Sequence, residues 1–456
     1  RDLLRAAAGG GDPGREQVRL WMTSRPDVLG PEERVDAAWA SLTSHHYRNL
    51  PVVEGERCVG VVSLRDLMGV ARIRPATETS GDVPAGLEGV VVAETTIGDV
   101  RGQEGFFHYR QYSAVDLAGA RSLEDVWHLL FRGELPDAAA SAAFGVEVRG
   151  RRTMPPGLST LLPALSLRGA PLDVLRTAVS VLGAELGWRP THDIGADELY
   201  DQAVGMCAVV PTILAAAHRL RTGNEPVEPR DDLGFAANYL YMLTGEEPSA
   251  LYARAIEQYM ILTIDHGFNA STFTARVVTS TGADLGAAIV AAIGALSGPL
   301  HGGAPSRALD MLDAIGTPER ADAYIRAAVE DGERIMGFGH RVYKTDDPRS
   351  LLLRSVTERL GGPLVEFSQS VERTTVDVLA ELKPGRQLYT NVEFYAGVVM
   401  HTCGIPREMF TPTFAAGRTI GWSTHVMEQA SHNRLIRPAA RYVGPPPPQP
   451  VPPARG

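Results

Sequence analysis

The chain has 456 residues, which is enough for two or three domains with a large core. Its composition, 44% hydrophobic and 21% charged, is that of an ordinary globular protein, and no apolar run predicts a membrane span. The net charge of −10, with both signs mixed along the chain, argues against a basic face for nucleic acid or anionic lipid.

Cysteine and histidine spacing gives no sign of a metal site or a disulfide framework. The three cysteines, Cys58, Cys207 and Cys403, lie far apart and form no CxxC pair. The twelve histidines include no HExxH motif and no zinc-finger spacing. We therefore predict a protein of a reducing cytoplasm that holds no metal.

The first predicted unit is a small α/β module within residues 1–73. Its complete copy, at about 18–73, contains a helix opened by Pro31 and two β-branched strands, LPVV and CVGVVS, around the turn EGER. The opening RDLLRA at 1–6 echoes RDLMGV at 65–70. The repeat indicates that the chain begins with the end of a first, truncated copy.

This unit resembles a CBS domain, the cystathionine-β-synthase type of nucleotide-sensing repeat, in its phrases MTSRP, NLPVVEG and GVVSLRDL. Such domains come in pairs, so the resemblance implies that the natural protein is longer at its N-terminus. It also implies an adenine nucleotide effector, with Ser63 and Asp66 near the phosphate and ribose. The same two residues would equally suit a helix start, Ser63 as the cap and Asp66 at the dipole. Both interpretations stay open.

A polar linker rich in proline and glycine, residues 74–86, precedes a region that reads as helix. Short strand-like runs from Leu87 give way after Ser122 to stretches such as TILAAAHRLR and AAIVAAIGAL, which predict helices. The tail at 444–456 is rich in proline and is predicted to be disordered. The predicted fold class is mainly α, preceded by a small α/β module.

Three histidines stand in the phrases DHGFN, PLHGG and GFGHR: His266, His301 and His340. The neighbouring glycines allow close approach of a substrate, although they would equally serve as helix caps or close helix crossings. Neither glycine-rich phrase is a phosphate loop, because the GK[ST] ending is missing.

Basic residues follow these histidines along the chain. Singly, each predicts a solvated charge or a structural ion pair. As a set they indicate a site for a small acid with several negative charges, because guanidinium groups bind carboxylates through two parallel hydrogen bonds. The residues are Arg341, Lys344, Arg349, Arg418 and Arg437.

The region from about 87 to 444 resembles a citrate synthase. The matching phrases are DHGFNASTFTARV, GPLHGGAPSRALDML, MGFGHRVYKTDDPRS, NVEFYAG and FAAGRTIGW…NRLIRPAARYVG, in the family's order and spacing. The resemblance implies a two-domain helical fold, with a large domain at 87–302 and 405–443 and a smaller hinged domain at 303–404. It also implies a homodimer with shared active sites and no cofactor beyond the substrates.

The implied reaction, one of the tricarboxylic acid cycle, condenses acetyl-CoA with oxaloacetate and water to give citrate and CoA. By resemblance, Glu393 would be the base that removes the thioester methyl proton, and His301 would donate to the thioester carbonyl. His340 would polarise the ketone of oxaloacetate. The remaining implied contacts are His266, Asn269, Arg349, Arg418 and the partner subunit's Arg437 for oxaloacetate, and Arg341 and Lys344 for CoA.

The sequence departs from the family at the base, where NVDFY becomes NVEFY with Glu393. The extra methylene matters because a displacement of about 1 Å in a tight site can cost on the order of a hundredfold in rate. The backbone could accommodate an active glutamate, the site could be tuned to another acyl-CoA, or the enzyme could be weak and kept for regulation. We favour the first, because the other expected histidines and arginines are present. Apolar Val392 and Phe394 argue against a surface charge.

Two alternative functions stay open. One is a 2-methylcitrate synthase that uses propionyl-CoA. It stays open because an enzyme discriminates between substrates that differ by one methylene by only about 1–3 kcal/mol. The other is a nucleotide-sensing protein built on an inactive citrate synthase scaffold. Measurable release of CoA separates both enzymes from the sensor.

Overall fold

The computed structural model divides the chain into two compact units, Arg1–Val91 and Val92–Gly456. The residues that the structure describes are 26–44, 47, 49–55, 57–63, 85–87, 89–299, 301–302, 304–340, 342–384 and 388–449.

The described part of the first unit is a helix followed by an antiparallel hairpin. Helix α1 is Val35–Ser44, and the paired strands are β1, Asn49–Glu54, and β2, Arg57–Ser63. Gly55 takes a positive φ of 64° in the turn between them, a conformation that side chains disfavour. The small core consists of Leu29, Ala38, Leu42 and Leu50.

The predicted α/β character of this unit is confirmed, and the predicted strands agree with the observed ones. The helix begins later than Pro31, because residues 31–33 form a turn and regular helix starts at Val35. Residues 64–84, which include most of the predicted linker, lie outside the described residues.

The second unit opens with a three-stranded antiparallel sheet in the order β3–β4–β5. The strands are Gly98–Arg101, Phe106–Tyr109 and Tyr112–Ser113. Phe107 and Tyr109 alternate along β4 and are buried, as the two-residue period of a strand requires. The Tyr109 hydroxyl donates to the carbonyl oxygen of Ile261 at 2.7 Å, so the sheet packs against the chain just ahead of His266.

Helices make up most of the rest of this unit, as predicted. Several begin at a side chain that caps the first turn, among them Ser122, Asp137 and Ser249. In chain order, α2 to α17 are Ala114–Ala120, Leu123–Arg132, Ala138–Arg149, Pro156–Ser166, Pro171–Glu185, Ala196–Arg221, Phe235–Thr244, Ala250–Thr263, Ala270–Ser280, Leu285–Leu296, Ala304–Ile315, Ala321–Glu330, Pro348–Leu360, Pro363–Leu382, Val392–Thr402 and Phe410–Ser431.

Two long helices, α7 and α17, pack against each other in the core. By length and composition α7 could cross a membrane, which the sequence did not lead us to expect, but 83% of its most apolar window is buried inside the protein. It is therefore a core helix. Gly421 of α17 approaches the carbonyl oxygen of Ile264 so closely that any Cβ at this position would overlap it. Glycine thus lets α17 lie directly against the segment that carries His266.

The predicted division of this unit into a large and a small domain stays a prediction. Within it, α16 packs against α14 and α12, and α15 packs against α13. At the C-terminus, residues 444–449 form neither helix nor strand, and residues 450–456 lie outside the described residues.

Candidate active site

His266 lies in the loop between α9 and α10. Gly267 turns the loop with a φ of 60°, and Asn269 caps α10 by accepting the backbone N–H of Thr272 on its Oδ1 at 3.1 Å. Burial and the nearby charge of Arg349 lower the pKa of His266 well below its ordinary value. His266 is therefore a neutral imidazole at neutral pH.

A buried polar network holds this loop from behind. His425 of α17 accepts a hydrogen bond from Arg276 Nε on Nδ1 at 3.0 Å, so its Nε2–H donates to Asp265 Oδ1 at 3.1 Å. Arg276 is ion-paired with Glu428, which in turn accepts the backbone N–H of Thr96 at 2.7 Å. The position of Asp265, next to His266, is thereby fixed by α10 and α17.

His340 is held by the turn that follows it. The backbone N–H groups of Val342 and Tyr343 both donate to its Nδ1, at 2.9 and 3.0 Å. Because backbone amides can only donate, the neutral ring must carry its proton on Nε2. Burial first, and then the charge of Arg349, lower the pKa of His340 to about 4. His340 is thus a neutral donor through Nε2.

Arg349 is held by a buried carboxylate two residues before it. Its Nε and Nη2 bind the two oxygens of Asp347 at 3.0 and 2.8 Å, and the two side chains are 5% and 1% exposed. Asp347 Oδ2 also accepts the backbone N–H of Val392 at 3.1 Å. One carboxylate therefore fixes both Arg349 and the start of α16.

Glu393 stands in the first turn of α16. Asn391 caps this helix by accepting the Glu393 N–H at 3.0 Å, and its Nδ2 donates to the carbonyl oxygen of Gly339 at 2.9 Å. Asn391 thus links Glu393 to the turn that carries His340. Burial, with a smaller contribution from Asp347 and opposition from Arg349, raises the pKa of Glu393 to about 7. Its carboxylate accepts no hydrogen bond from the described residues.

His301 lies between α11 and α12. The backbone N–H of Ser271 donates to its Nε2 at 3.3 Å, which leaves the proton of the neutral ring on Nδ1. The Ser271 hydroxyl, 2.8 Å from the same nitrogen, also accepts the indole N–H of Trp422 at 3.1 Å. Burial, followed by the charge of Arg418, lowers the pKa of His301 to about 4.

Arg418 lies in α17, where the side chain is almost fully buried. Its Nε donates to the carbonyl oxygen of Thr263 at 2.7 Å, and its guanidinium lies over the ring of Phe414 at 4.5 Å. These contacts aim a permanent charge at the loop of His266.

The structure brings these side chains together. The ring centroids of His266 and His340 are 5.7 Å apart, and Arg349 Nη2 lies 3.3 Å from Nε2 of His340. The charge of Arg349 acts on Glu393, and the charge of Arg418 acts on both His266 and His301. Residues from five sequence phrases therefore form one buried, electropositive cluster.

Tyr343 is a member of this cluster that the sequence analysis did not single out. Its hydroxyl lies 3.0 Å from Nε2 of His266, and its ring centroid lies 4.9 Å from that of His340. The available signal was its place in the phrase GFGHRVYK, three residues after the histidine. Ser271, Asp347 and His425 were missed as well.

The remaining predicted site residues differ in how the structure places them. Arg437 is exposed and makes no hydrogen bond or ion pair with the described part of the chain. Lys344 is exposed, and its backbone N–H donates to Gly102 at 3.0 Å. Ser63 ends β2, where it pairs with Asn49. Arg341 and Asp66 lie outside the described residues.

Across the described residues, no group of three or more histidine, cysteine or acidic side chains lies close enough to hold a metal ion. All three cysteines are free thiols; Cys58 is exposed, and Cys207 and Cys403 are buried. The cluster itself offers hydrogen-bond donors, two permanent cations and the carboxylate of Glu393, unpaired among the described residues, a combination that suits acid–base chemistry on an anionic substrate.

Comparison with known families gives two matches. The model of the citrate synthase C-terminal domain matches residues 86–439, and the CBS domain model matches residues 16–72. The first match contains every residue of the cluster. The second contains the hairpin of the first unit.

Curated relatives agree with this assignment. A 2-methylcitrate synthase of Mycobacterium tuberculosis is 42% identical over 370 residues, which cover 81% of this chain and 93% of that protein. Citrate synthase 2 of Bacillus subtilis is 41% identical over 364 residues, which cover 79% of this chain and 95% of that protein.

A solved structure shares the fold. It is the ternary complex of citrate synthase from Thermoplasma acidophilum with carboxymethyl coenzyme A and oxaloacetate. The match has a TM-score of 0.75 at 29% sequence identity and covers 81% of this chain and 98% of the other. The chain therefore belongs to the citrate synthase family of enzymes, with a CBS domain in its N-terminal part.

Proposed function

We propose that this enzyme condenses acetyl-CoA with oxaloacetate and water to give citrate and CoA. The observation that carries the proposal is the protonation state of two histidines. His301 and His340 are neutral, and each has one ring nitrogen occupied by backbone N–H donors. Their other nitrogens, Nδ1 of His301 and Nε2 of His340, carry the ring protons and can donate hydrogen bonds to a substrate. Oxaloacetate and a thioester offer only acceptor oxygens to such groups.

Oxaloacetate would be held by the electropositive side of the cluster. Nε2–H of His340 donates to the ketone oxygen and makes its carbon more electrophilic. Arg349 and Arg418, both buried, bind the two carboxylates, and His266 adds a neutral donor. Asn269 is the remaining candidate contact, although its Oδ1 already caps α10.

Glu393 would act on the acyl-CoA as the base. It takes a proton from the carbon next to the thioester carbonyl, while Nδ1–H of His301 stabilises the enolate oxygen. The enolate carbon then attacks the ketone carbon, and the resulting alkoxide takes the Nε2 proton of His340. Water attacks the citryl thioester and gives one proton back to His340, while the departing CoA thiolate takes the proton held by Glu393. The new carboxylic acid loses its proton to solvent, and this hydrolysis makes the sequence effectively irreversible.

A glutamate fits this role because its buried environment raises its pKa. A pKa of about 7 makes the Glu393 carboxylate a stronger base than an ordinary glutamate, and it is still ionised in about half of the molecules at neutral pH. Its backbone is held by Asn391, so the carboxylate projects from a fixed first turn of α16. Of the three interpretations of the Asp-to-Glu change, these facts favour an active enzyme.

Binding of CoA would involve basic residues near the turn after His340. Lys344 is exposed, as a residue that meets a phosphate from solvent should be, and Arg341 is the second candidate. Residues 303–404 would form a domain that closes over CoA and shields the enolate from water.

The active site would be completed by a second subunit. Arg437 is exposed and has no partner among the described residues of its own chain. In the proposed homodimer it reaches the oxaloacetate site of the other subunit. Location in the cytoplasm stays a prediction from the cysteine usage.

Propionyl-CoA is the second candidate substrate. The observation that favours it is the 42% identical relative named 2-methylcitrate synthase. The product would then be 2-methylcitrate, made by the same residues. Comparison of kcat/KM for the two thioesters with oxaloacetate distinguishes the two functions.

The CBS domain would couple adenine nucleotide levels to this reaction. Ser63 and Asp66 are the candidate contacts for the nucleotide. A genuine coupling changes affinity by about 5- to 150-fold. Titration of ATP, ADP and AMP into the assay tests it, and kinetics unchanged by all three would remove this part of the proposal.

The first experiment is an assay of CoA thiol release from acetyl-CoA and oxaloacetate, with His301→Ala as the control. Turnover that disappears in the control supports the proposed function. No turnover with acetyl-CoA, but turnover with propionyl-CoA, would favour the second candidate. Failure with both would leave a nucleotide sensor on an inactive scaffold as the better description.

A further inference from the structure

We propose that Tyr343 is a positioning residue for the oxaloacetate site, because it fixes the donor face of His266 through its hydroxyl and that of His340 through its backbone N–H. The inference rests on the proposed function, since it concerns how the same two histidines present their protons to the substrate.

Tyr343 packs against both histidine rings. Its backbone N–H donates to Nδ1 of His340 at 3.0 Å, and its hydroxyl lies 3.0 Å from Nε2 of His266. Its ring centroid lies 4.9 Å from His340 and 5.5 Å from His266. No other described side chain makes both a hydrogen bond and a ring contact with His266.

The direction of the hydroxyl bond follows from its surroundings. Tyr343 is 3% exposed, and Nε2 of His266 is the only acceptor within reach of its hydroxyl among the described residues. A buried phenol left without an acceptor is costly, so the hydroxyl donates to Nε2. The neutral ring of His266 then carries its proton on Nδ1.

This arrangement leaves His266 Nδ1–H as a donor with no partner in the described part of the chain. Without the Tyr343 hydroxyl, His266 is free to place its proton on Nε2, and its Nδ1 would present a lone pair to a carboxylate. Such a lone pair repels the substrate anion. The hydroxyl therefore acts on oxaloacetate through the tautomer of His266, without touching the substrate itself.

The test compares Tyr343→Phe with a matched control, Tyr239→Phe. Tyr239 is also a buried tyrosine, and its hydroxyl bonds to Thr413 Oγ1 at 2.8 Å, away from the histidines. We expect Tyr343→Phe to raise the Kd for oxaloacetate, measured by calorimetry without acyl-CoA, about 2- to 12-fold. The KM for acyl-CoA should not change, and the control should change neither constant.

A double-mutant comparison shows whether the effect passes through His266. In a His266→Ala background the further change Tyr343→Phe should leave the oxaloacetate Kd unaltered. An oxaloacetate Kd that Tyr343→Phe leaves at the wild-type value, or a loss of thermal stability alone, would overturn the proposal.

A measurement on the wild-type protein reports the tautomer of His266 directly. In the ¹⁵N spectrum of labelled imidazoles, the signals missing from His266→Ala should show a protonated Nδ1 and an unprotonated Nε2. The opposite tautomer would contradict the proposal. If the wild type binds oxaloacetate but turns over no thioester, the proposed function fails while the Kd comparison still decides the role of Tyr343. If it does not bind oxaloacetate, both fail.

Discussion

Arg349 Nη2 lies 3.3 Å from Nε2 of His340, and both atoms are hydrogen-bond donors. The two backbone N–H groups on the other side of the His340 ring leave it no alternative tautomer. Two N–H groups at this distance repel each other unless one acceptor oxygen receives a hydrogen bond from both. The pair is therefore arranged to bind an oxygen-rich anion.

We expect oxaloacetate to raise the Tm of the protein, because it binds only the folded state. At a concentration of 100 times its Kd it would stabilise the fold by about 2.7 kcal/mol. Succinate is the matched control ligand: it carries both carboxylates but no ketone for His340, so its effect should be smaller at equal concentration. Equal shifts by the two acids, measured by scanning calorimetry, would contradict the role of His340.

Glu393→Gln should lower kcat by about 10²- to 10⁴-fold, because the amide has a similar shape but cannot take a proton. Glu393→Asp restores the residue of the family phrase but shortens the reach, so we expect a loss of up to about a hundredfold in this backbone. The KM for oxaloacetate should change little in either variant. Glu366, an exposed glutamate of α15, provides the control Glu366→Gln.

The pH dependence of kcat/KM should show an acid limb near pH 7, because only the ionised Glu393 is a base. Its pKa of about 7 sets this limb, and activity rises with pH through it. His301 and His340, with pKa values of about 4, stay neutral across this range. A profile that is flat from about pH 5 to pH 8 would contradict Glu393 as the base.

The raised pKa of Glu393 also predicts how the stability of the protein changes with pH. The folded protein raises the pKa of Glu393 from 4.5 to about 7, so the contribution of this group to stability is present below about pH 4.5 and is lost as the pH rises through 7. Glu393→Gln should therefore raise the Tm relative to the wild type at about pH 8 and much less at about pH 5. A Tm difference independent of pH would show that ionisation is not its cause.

Asp347→Ala should destabilise the protein by about 3–5 kcal/mol, because it leaves the buried charge of Arg349 without its partner. Asp322→Ala is the matched control, since Asp322 pairs with Arg326 at 2.9 Å but is 55% exposed. Its loss should cost less than about 1 kcal/mol. Urea unfolding measures the loss of stability in both variants. Equal losses would show that burial does not make the Asp347–Arg349 pair more important to stability than an exposed pair.

A shared active site predicts complementation between two inactive variants. His301→Ala lacks a donor, and Arg437→Ala lacks the contact proposed for the partner subunit. Refolded together as a mixture, they should regain about a quarter of wild-type turnover, because random pairing gives half heterodimers with one complete site of two. No regain on mixing, with heterodimers shown to be present, would place Arg437 in its own subunit's site or outside any site.

The sequence was sufficient to predict the helical fold and the α/β module, because apolar periodicity and short β-branched runs report them directly. It also indicated which side chains lie in the cluster, since His266, His340 and Arg349 stand in long phrases of fixed order. Chemistry that depends on residue type is visible in such phrases.

What the sequence could not predict is which nitrogen of each ring carries the proton. The groups that decide this are the backbone N–H groups of Ser271, Val342 and Tyr343, and a backbone amide is the same whatever the residue. Asp347 was overlooked for a related reason. In DDPRS it looks like a helix cap, and its bond to Val392 joins positions far apart in the chain.

The double use of Asp347 has a consequence for the placement of the base. Its carboxylate anchors Arg349 and the amide of Val392 together, so α16 cannot slide toward the substrate without loosening the arginine that holds it. A displacement of α16 that offsets a change of side-chain length at position 393 would therefore also displace the guanidinium of Arg349. The reach of the base and the placement of the cation are set by the same carboxylate.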